Sequence, residues 1–304
     1  MIGAESLTVK FAGLKFRNPT MLASGFLGIS QEILDRIYLS GAGCLVSKSL
    51  SNLPIEGYRN PTVIDLNGKS YLNAVGLANP GFKAFATEIK ANKTPLILSL
   101  VGSDQKDFIL MVKRLDNLNI LGYEINLSCP HVKKMGMEVG DDLEMVRNII
   151  RKVRINTRKP IFIKLGVGNM DILKLAEVAK DENANGVTAI NTIRAMAINV
   201  QTGSPILSNR LGGLSGRSIK PVAIRCVYEI SKKLGIPVIG CGGIFMWEDA
   251  IEFLLAGASA VQIGSGVGHS GIGIFKLITR GIKNYLENKG FRNVQDIVGL
   301  AHKY

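Results

Sequence analysis

A repeating rhythm constrains this chain more than any other feature. Short apolar runs recur eight times, at 20–23, 43–47, 95–100, 122–126, 161–165, 186–190, 236–240 and 260–263. Amphipathic stretches alternate with them, near 31–40, 80–92, 104–117, 141–157, 170–182, 218–234, 247–256 and 272–288. Unbroken apolar runs suit parallel strands covered on both faces, and eight strand–helix repeats predict an α/β fold of the (β/α)8 TIM-barrel type. A doubly wound open sheet would show fewer repeats and a glycine fingerprint near its first strand, and neither is found. Ahead of the rhythm, 7–11 and 14–16 are split by Ala12-Gly13 and predict an N-terminal hairpin.

The 304 residues suit a single barrel domain over 1–304 with insertions. Two connections, 49–79 after the second strand and 191–216 after the sixth, are longer than a barrel needs. Long βα loops lie on the C-terminal face, where barrel enzymes keep their active sites. A third segment, 130–140, carries Lys133, Lys134, Met135, Gly136 and Met137 and is a candidate lid.

Apolar residues make up 46% of the chain and aromatics only 6%, a mixture that fits strands filled by Val, Ile and Leu. No secretory leader pattern and no apolar stretch of membrane-spanning length occurs, so a soluble, cytoplasmic protein without membrane association is expected. The formal charge of +13 raises the question of nucleic acid. Yet the basic residues are dispersed, as in Arg147, Arg151, Lys152, Arg154, Arg158 and Lys159, which read as the solvated face of one helix. Without a recognition motif or interleaved aromatics, a small anionic substrate or an acidic partner fits better. Cys44, Cys129, Cys226 and Cys241 are too widely spaced for a zinc or iron–sulfur site, so no metal is expected on this chain.

One stretch concentrates chemistry: Tyr123-Glu124-Ile125-Asn126-Leu127-Ser128-Cys129-Pro130-His131. It reads as a buried strand ending in an amide, followed by a thiol fixed before a proline, and Cys129 is the candidate base or nucleophile. In a barrel, Lys48, Asn126 and Asn191 share its rim, at the ends of strands two, four and six. Lys164 interrupts the apolar strand Ile161-Phe162-Ile163-Lys164-Leu165, and a buried ammonium demands an anion or an electron-rich ligand opposite it. Gly242-Gly243 and Gly264-Ser265-Gly266 follow strands seven and eight, where barrel loops commonly hold phosphate. Phosphate, buried lysine, rim amides and thiol are all used if flavin mononucleotide (FMN) lies across the barrel mouth.

Several motifs carry a more specific resemblance. They are Ala23-Ser24-Gly25, Ser47-Lys48-Ser49, the run Asn73-Ala74-Val75-Gly76-Leu77-Ala78-Asn79-Pro80-Gly81, Asn126-Leu127-Ser128-Cys129-Pro130 and Asn191-Thr192. Asn209-Arg210-Leu211-Gly212-Gly213-Leu214-Ser215-Gly216, followed by Ile219-Lys220-Pro221, completes the set. Through essentially its whole length the chain resembles the class 1 dihydroorotate dehydrogenases, most closely the class 1B catalytic subunits of pyrimidine biosynthesis.

That resemblance implies oxidation of (S)-dihydroorotate to orotate, with Cys129 as the general base and hydride passing to FMN. It places FMN against Ala23, Ser24, Gly25, Lys48, Ser49, Asn126 and Lys164, and against Asn191, Gly216, Gly242, Gly243, Gly264 and Ser265. It places substrate against Lys48, Asn73, Gly76, Leu77, Asn126, Asn191 and Thr192. It further implies an electron-transfer subunit carrying FAD and an iron–sulfur cluster, around a homodimer core or in a heterotetramer, or else a soluble acceptor.

Three positions depart from the family pattern: His131 for asparagine, Ala195 for glycine before Met196, and Ser265 for threonine. The order Cys129-Pro130-His131, with Met135-Gly136-Met137 and Val146-Arg147-Asn148 downstream, resembles dihydropyrimidine dehydrogenases, which reduce uracil and thymine on a related FMN barrel. A non-catalytic barrel that binds a phosphate-bearing ligand is the reading from another class.

Overall fold

The computed structural model describes residues 4–66, 68–127 and 142–304. Cys129, His131 and the candidate lid at 130–140 lie outside the described residues.

After a 3-10 turn at Ala4–Leu7, strands β1 (Val9–Phe11) and β2 (Leu14–Phe16) pair antiparallel. Ala12 and Gly13 join them at φ 52° and 74°, the left-handed pair that a two-residue hairpin turn requires. Then come β3 (Thr20–Leu22) and β4 (Cys44–Val46). The long connection that follows contains β5 (Val63–Asp65) and β6 (Ser70–Asn73). Next are β7 (Leu96–Leu100), β8 (Gly122–Asn126), β9 (Ile161–Leu165) and β10 (Gly186–Ala189). The second long connection holds β11 (Ile193–Met196), β12 (Ile198–Asn199), β13 (Ser204–Pro205) and β14 (Leu211–Gly216). The chain finishes with β15 (Val238–Cys241) and β16 (Ala258–Ile263).

Strands β3, β4, β7, β8, β9, β10, β15 and β16 close into a parallel barrel in that order, the eight runs read from the sequence. Helices pack outside it: α1 (Gln31–Leu39), α2 (Gly81–Glu88), α3 (Gln105–Leu115), α4 (Leu143–Ile155) and α5 (Ile172–Asp181). They continue with α6 (Lys220–Leu234), α7 (Trp247–Leu255), the short α8 (Ser265–Ser270) and α9 (Ile274–Lys289). Their starts are set by local chemistry, since Ser30, Asp104, Asp142 and Asp171 each accept a hydrogen bond from a first-turn amide. Left-handed Gly235 and Gly290 end α6 and α9.

The two long connections are not irregular loops. β11, β14, β6 and β5 form one antiparallel sheet in that order, so segments far apart in sequence share a roof over the barrel mouth. β14 is glycine-rich because its neighbours leave no room. A Cβ at Gly213 would overlap the Thr192 side chain, and one at Gly216 the Lys69 carbonyl.

The basic stretch around α4 also differs from its expected reading. Arg158 and Lys159 lie beyond the helix, and Arg147 and Arg151 do not simply face water. Arg147 donates to Glu182 at 2.8 Å and Arg151 grips both oxygens of the same carboxylate at 2.8 and 2.9 Å, clamping α4 to the C-terminal cap of α5. The Arg151 and Arg147 guanidiniums hold the Glu182 carboxyl below its ordinary range. The clamp's stabilisation is therefore full above the carboxyl's unfolded pKa of about 4.3 and fades as acid titrates it through the lowered value.

The hairpin closes the amino end of the barrel. Phe11 lies 5.4 Å from Phe16 and 6.0 Å edge-on to the fully buried Phe162 near the start of β9. Phe162→Ala would open a cavity between plug and barrel. The expected cost is about 3–5 kcal/mol of unfolding free energy, read from the denaturant midpoint.

Candidate active site

The carboxyl ends of the barrel strands and the underside of the antiparallel sheet enclose a cavity of about 520 Å³. Alternation along each strand decides which side chains reach it. Asn126 on β8 pairs in register with Lys164 on β9, and Lys164 with Thr188 on β10, so all three point into the barrel. Asn126 does end its strand, as the sequence predicts. Lys48 and Asn191 stand two residues beyond β4 and β10, where they still line the cavity.

Every described residue that the resemblance assigns to FMN or to substrate lines this one cavity. Ala23, Ser24 and Gly25 follow β3, Ser49 follows Lys48, and Thr192 follows Asn191. Asn73 ends β6, with Gly76 and Leu77 beyond it, and Gly216 ends β14. Gly242 and Gly243 follow β15, and Gly264 and Ser265 follow β16. Cys129, three positions past Asn126, lies outside the described residues.

The amides are held in defined orientations. Asn73 donates to the Gly213 carbonyl at 3.0 Å, which ties β6 to β14 and fixes its amide plane. Asn126 donates to Ser49 Oγ at 3.2 Å, and Ser49 Oγ in turn meets Ser99 Oγ at 2.9 Å. Asn191 accepts the Thr192 backbone N–H at 2.8 Å and donates to Asn126 Oδ1 at 3.4 Å. Leu77 adopts φ 58°, a left-handed conformation that costs a branched residue roughly 1–2 kcal/mol, next to Gly76 at φ 70°. Asn79 supports this turn by donating to the Leu77 carbonyl at 2.7 Å while accepting from the Gly81 amide at 2.9 Å.

The loop after β15 forms a cradle with no room for side chains. Gly243, at φ 75°, would put a Cβ 2.8 Å from the Gly216 carbonyl oxygen. Close backbone approach of this kind exposes amide donors to an anion.

Lys164 is only 4% exposed, and the structure supplies a partner that the sequence reading overlooked. Its Nζ donates to Ser24 Oγ at 2.9 Å and Gln262 Oε1 at 3.4 Å, and faces Glu124 Oε1 at 3.7 Å. Glu124 is itself 1% exposed and accepts from Thr188 Oγ1 at 3.0 Å and Gln262 Nε2 at 2.6 Å. Glu124 could have been found from the sequence, because it stands two positions before Asn126 and must face the same way. Tyr71, Cys241 and Gln262 also line the cavity and were not singled out as site residues. Among the described residues no group of three His, Cys, Asp or Glu is placed to hold a metal ion, and no helix is long and apolar enough to cross a membrane.

Fold and cavity together define a (β/α)8-barrel enzyme with its site at the strands' carboxyl ends. The chain belongs to the dihydroorotate dehydrogenase family, an oxidoreductase family whose model, described as "Dihydroorotate dehydrogenase", matches residues 6–286. Similar curated proteins are named "Dihydroorotate dehydrogenase B (NAD(+)), catalytic subunit". The one from Pyrococcus furiosus is 45% identical over 98% of this chain and 99% of its own length. Those from Methanocella arvoryzae and Archaeoglobus fulgidus are 44% and 42% identical, covering 98% and 97% of this chain and 98% and 99% of the relatives. The resemblance to class 1B catalytic subunits is thus borne out. Among solved structures, a dihydroorotate dehydrogenase from Eimeria tenella in complex with ferulenol superposes with a TM-score of 0.85. It is 22% identical over 99% of this chain and 89% of that one, a likeness of fold.

Lys48 is half-buried on the cavity wall, and burial pulls its ammonium below the ordinary lysine pKa. Binding of a small planar carboxylate should therefore weaken as pH rises through that lowered value, before the ordinary range near ~10.4 is reached. Lys48→Met should bind roughly tenfold or more weakly and lose this pH dependence, as a fluorescence titration from pH 6 to 10 would record.

Proposed function

We propose that this chain oxidises (S)-dihydroorotate to orotate in pyrimidine biosynthesis, using FMN, and passes the electrons to a partner subunit. The observation that carries the reading is the convergence of a buried lysine, three oriented amides and two glycine loops on one cavity. Its volume of about 520 Å³ lies in the range of cofactor and ligand sites. The donor set also fits FMN: backbone amides at Gly242, Gly243, Gly264 and Ser265 for the phosphate, and the Lys164 ammonium for the electron-rich edge of the ring. Ala23, Ser24, Gly25, Ser49 and Gly216 would complete that seat. When bound, FMN supplies a two-electron acceptor for the hydride that leaves C6 of the substrate.

The remaining chemistry belongs to side chains of this protein. Lys48 offsets the substrate carboxylate. Asn73 is anchored to Gly213, and Asn126 and Asn191 are linked to each other and held by Ser49 and Thr192, so the three line the cavity as an oriented amide cluster that matches the carbonyl and N–H groups of a dihydropyrimidine ring. Gly76, Leu77 and Thr192 close the substrate from the roof side. Cys129 takes the C5 proton, and its place three residues past the oriented Asn126 supports that role.

The names of the curated relatives, a catalytic subunit of an NAD(+) enzyme, support transfer of electrons to a second chain, and the class 1B resemblance implies that this second chain carries FAD and an iron–sulfur cluster. Met196 on β11, Ile198 on β12 and Val200 in the turn after it are exposed apolar surface of the kind partner chains cover, whether in a homodimer core or in a heterotetramer.

Anaerobic absorbance spectroscopy tests the reading. The FMN-reconstituted protein should be yellow and should bleach on addition of dihydroorotate but not of dihydrouracil. Cys129→Ala should keep its colour and still bind orotate while reducing about 10²–10⁴-fold more slowly. A protein that gains no colour, or a Cys129→Ala variant that bleaches at the parent rate, would refute the cofactor or the base respectively.

A further inference from the structure

Under the cavity lies a buried charge pair with an unusual arrangement. Both hydrogen bonds to Glu124 fall on Oε2, from Thr188 and Gln262, while Oε1 makes none and faces Lys164 Nζ at 3.7 Å. A buried carboxylate oxygen without a donor is costly, and a small swing of the lysine would satisfy it. The ammonium is drawn the other way, to Ser24 Oγ on the cavity wall at 2.9 Å. Gln262 locks this offset, because its Nε2 donates to Glu124 while its Oε1 accepts from Lys164. The layer thus holds the Lys164 ammonium at the cavity floor beside an anion that does not capture it.

We propose that Glu124 is a positioning residue: a fixed counter-charge that holds Lys164 aimed at the ligand and so sets the electrostatic potential of the cavity floor. Resting on the FMN reading above, this deepens it, since an anion beneath the ring opposes the negative charge a flavin gains on reduction. Glu124 therefore sets how strongly the site prefers reduced over oxidised FMN.

Cys241 reports on the floor without any cofactor. Its thiol lines the cavity, is pushed up by burial, is lowered by the Lys164 charge and is raised by the Glu124 charge. The other groups against the pair are the neutral Thr188, Gln262 and Ser24, and the Cys44 thiol, which burial holds protonated.

The experiment uses the full chain, with and without FMN. Glu124→Gln keeps the shape of the side chain and an oxygen for Thr188 and Gln262, but removes the charge. In the FMN-free protein, iodoacetamide labelling of Cys241, followed by peptide mapping across pH 6–10, should run about tenfold faster at a given pH in Glu124→Gln and about tenfold slower in Lys164→Met. Glu124→Asp, which retains the charge, should label like the parent. With FMN bound, Glu124→Gln should raise the affinity for reduced relative to oxidised FMN by about tenfold, measured by redox titration at pH 7. An unchanged Cys241 profile in both Glu124→Gln and Lys164→Met overturns the proposal. If Glu124→Gln does not fold, Lys164→Met and Glu124→Asp still decide it. A protein that takes up no FMN but shows the Cys241 shifts would sink the cofactor reading and leave the charge assignment standing.

Discussion

A closed parallel barrel has an inside that water cannot reach, and every second residue of every strand must live there. In this protein that constraint is met by apolar side chains such as Cys44, Ile97 and Phe162 near the amino end and broken near the carboxyl end. There Glu124, Lys164, Thr188 and Gln262 form a buried polar layer. An unpaired charge at such a depth would be untenable, so the four side chains satisfy one another almost completely and hold a floor for the cavity above. The strand ends, the rim amides and the glycine loops are all placed by reference to that floor.

The barrel itself was legible in the sequence. Strands β8 and β9 fall where 122–126 and 161–165 were expected, and the other six barrel strands differ by a residue or two at their ends. The eightfold rhythm is a strong signal because both faces of each strand are buried, so no polar residue need interrupt it. The roof sheet was not legible. β5 and β11 are half-exposed, and β14 carries three glycines that read as a loop. Their pairing depends on Asn73 meeting Gly213 across 140 positions of chain, a contact that no local pattern encodes.

The site was more legible than its support. Lys48, Asn126, Lys164 and Asn191 announced themselves as polar residues at strand ends or inside apolar runs, Asn73 only through the family motif, and they do meet. Glu124 and Gln262 sit in the same apolar runs and obey the same alternation, so the signal was present for them too. Arg147 and Arg151 show the opposite case. On α4 alone they look like solvent-facing charge, and only the cap of α5 reveals that Glu182 binds them both.

The hairpin at the other end of the cylinder gives the molecule a direction. With Phe11 and Phe16 set against Phe162, the described barrel is corked below its polar floor. Among the described residues, the approach to the floor is from the upper mouth that the roof overhangs. A ligand seated there and anything else that must reach the floor share one side of the cylinder, and neither can be approached from underneath.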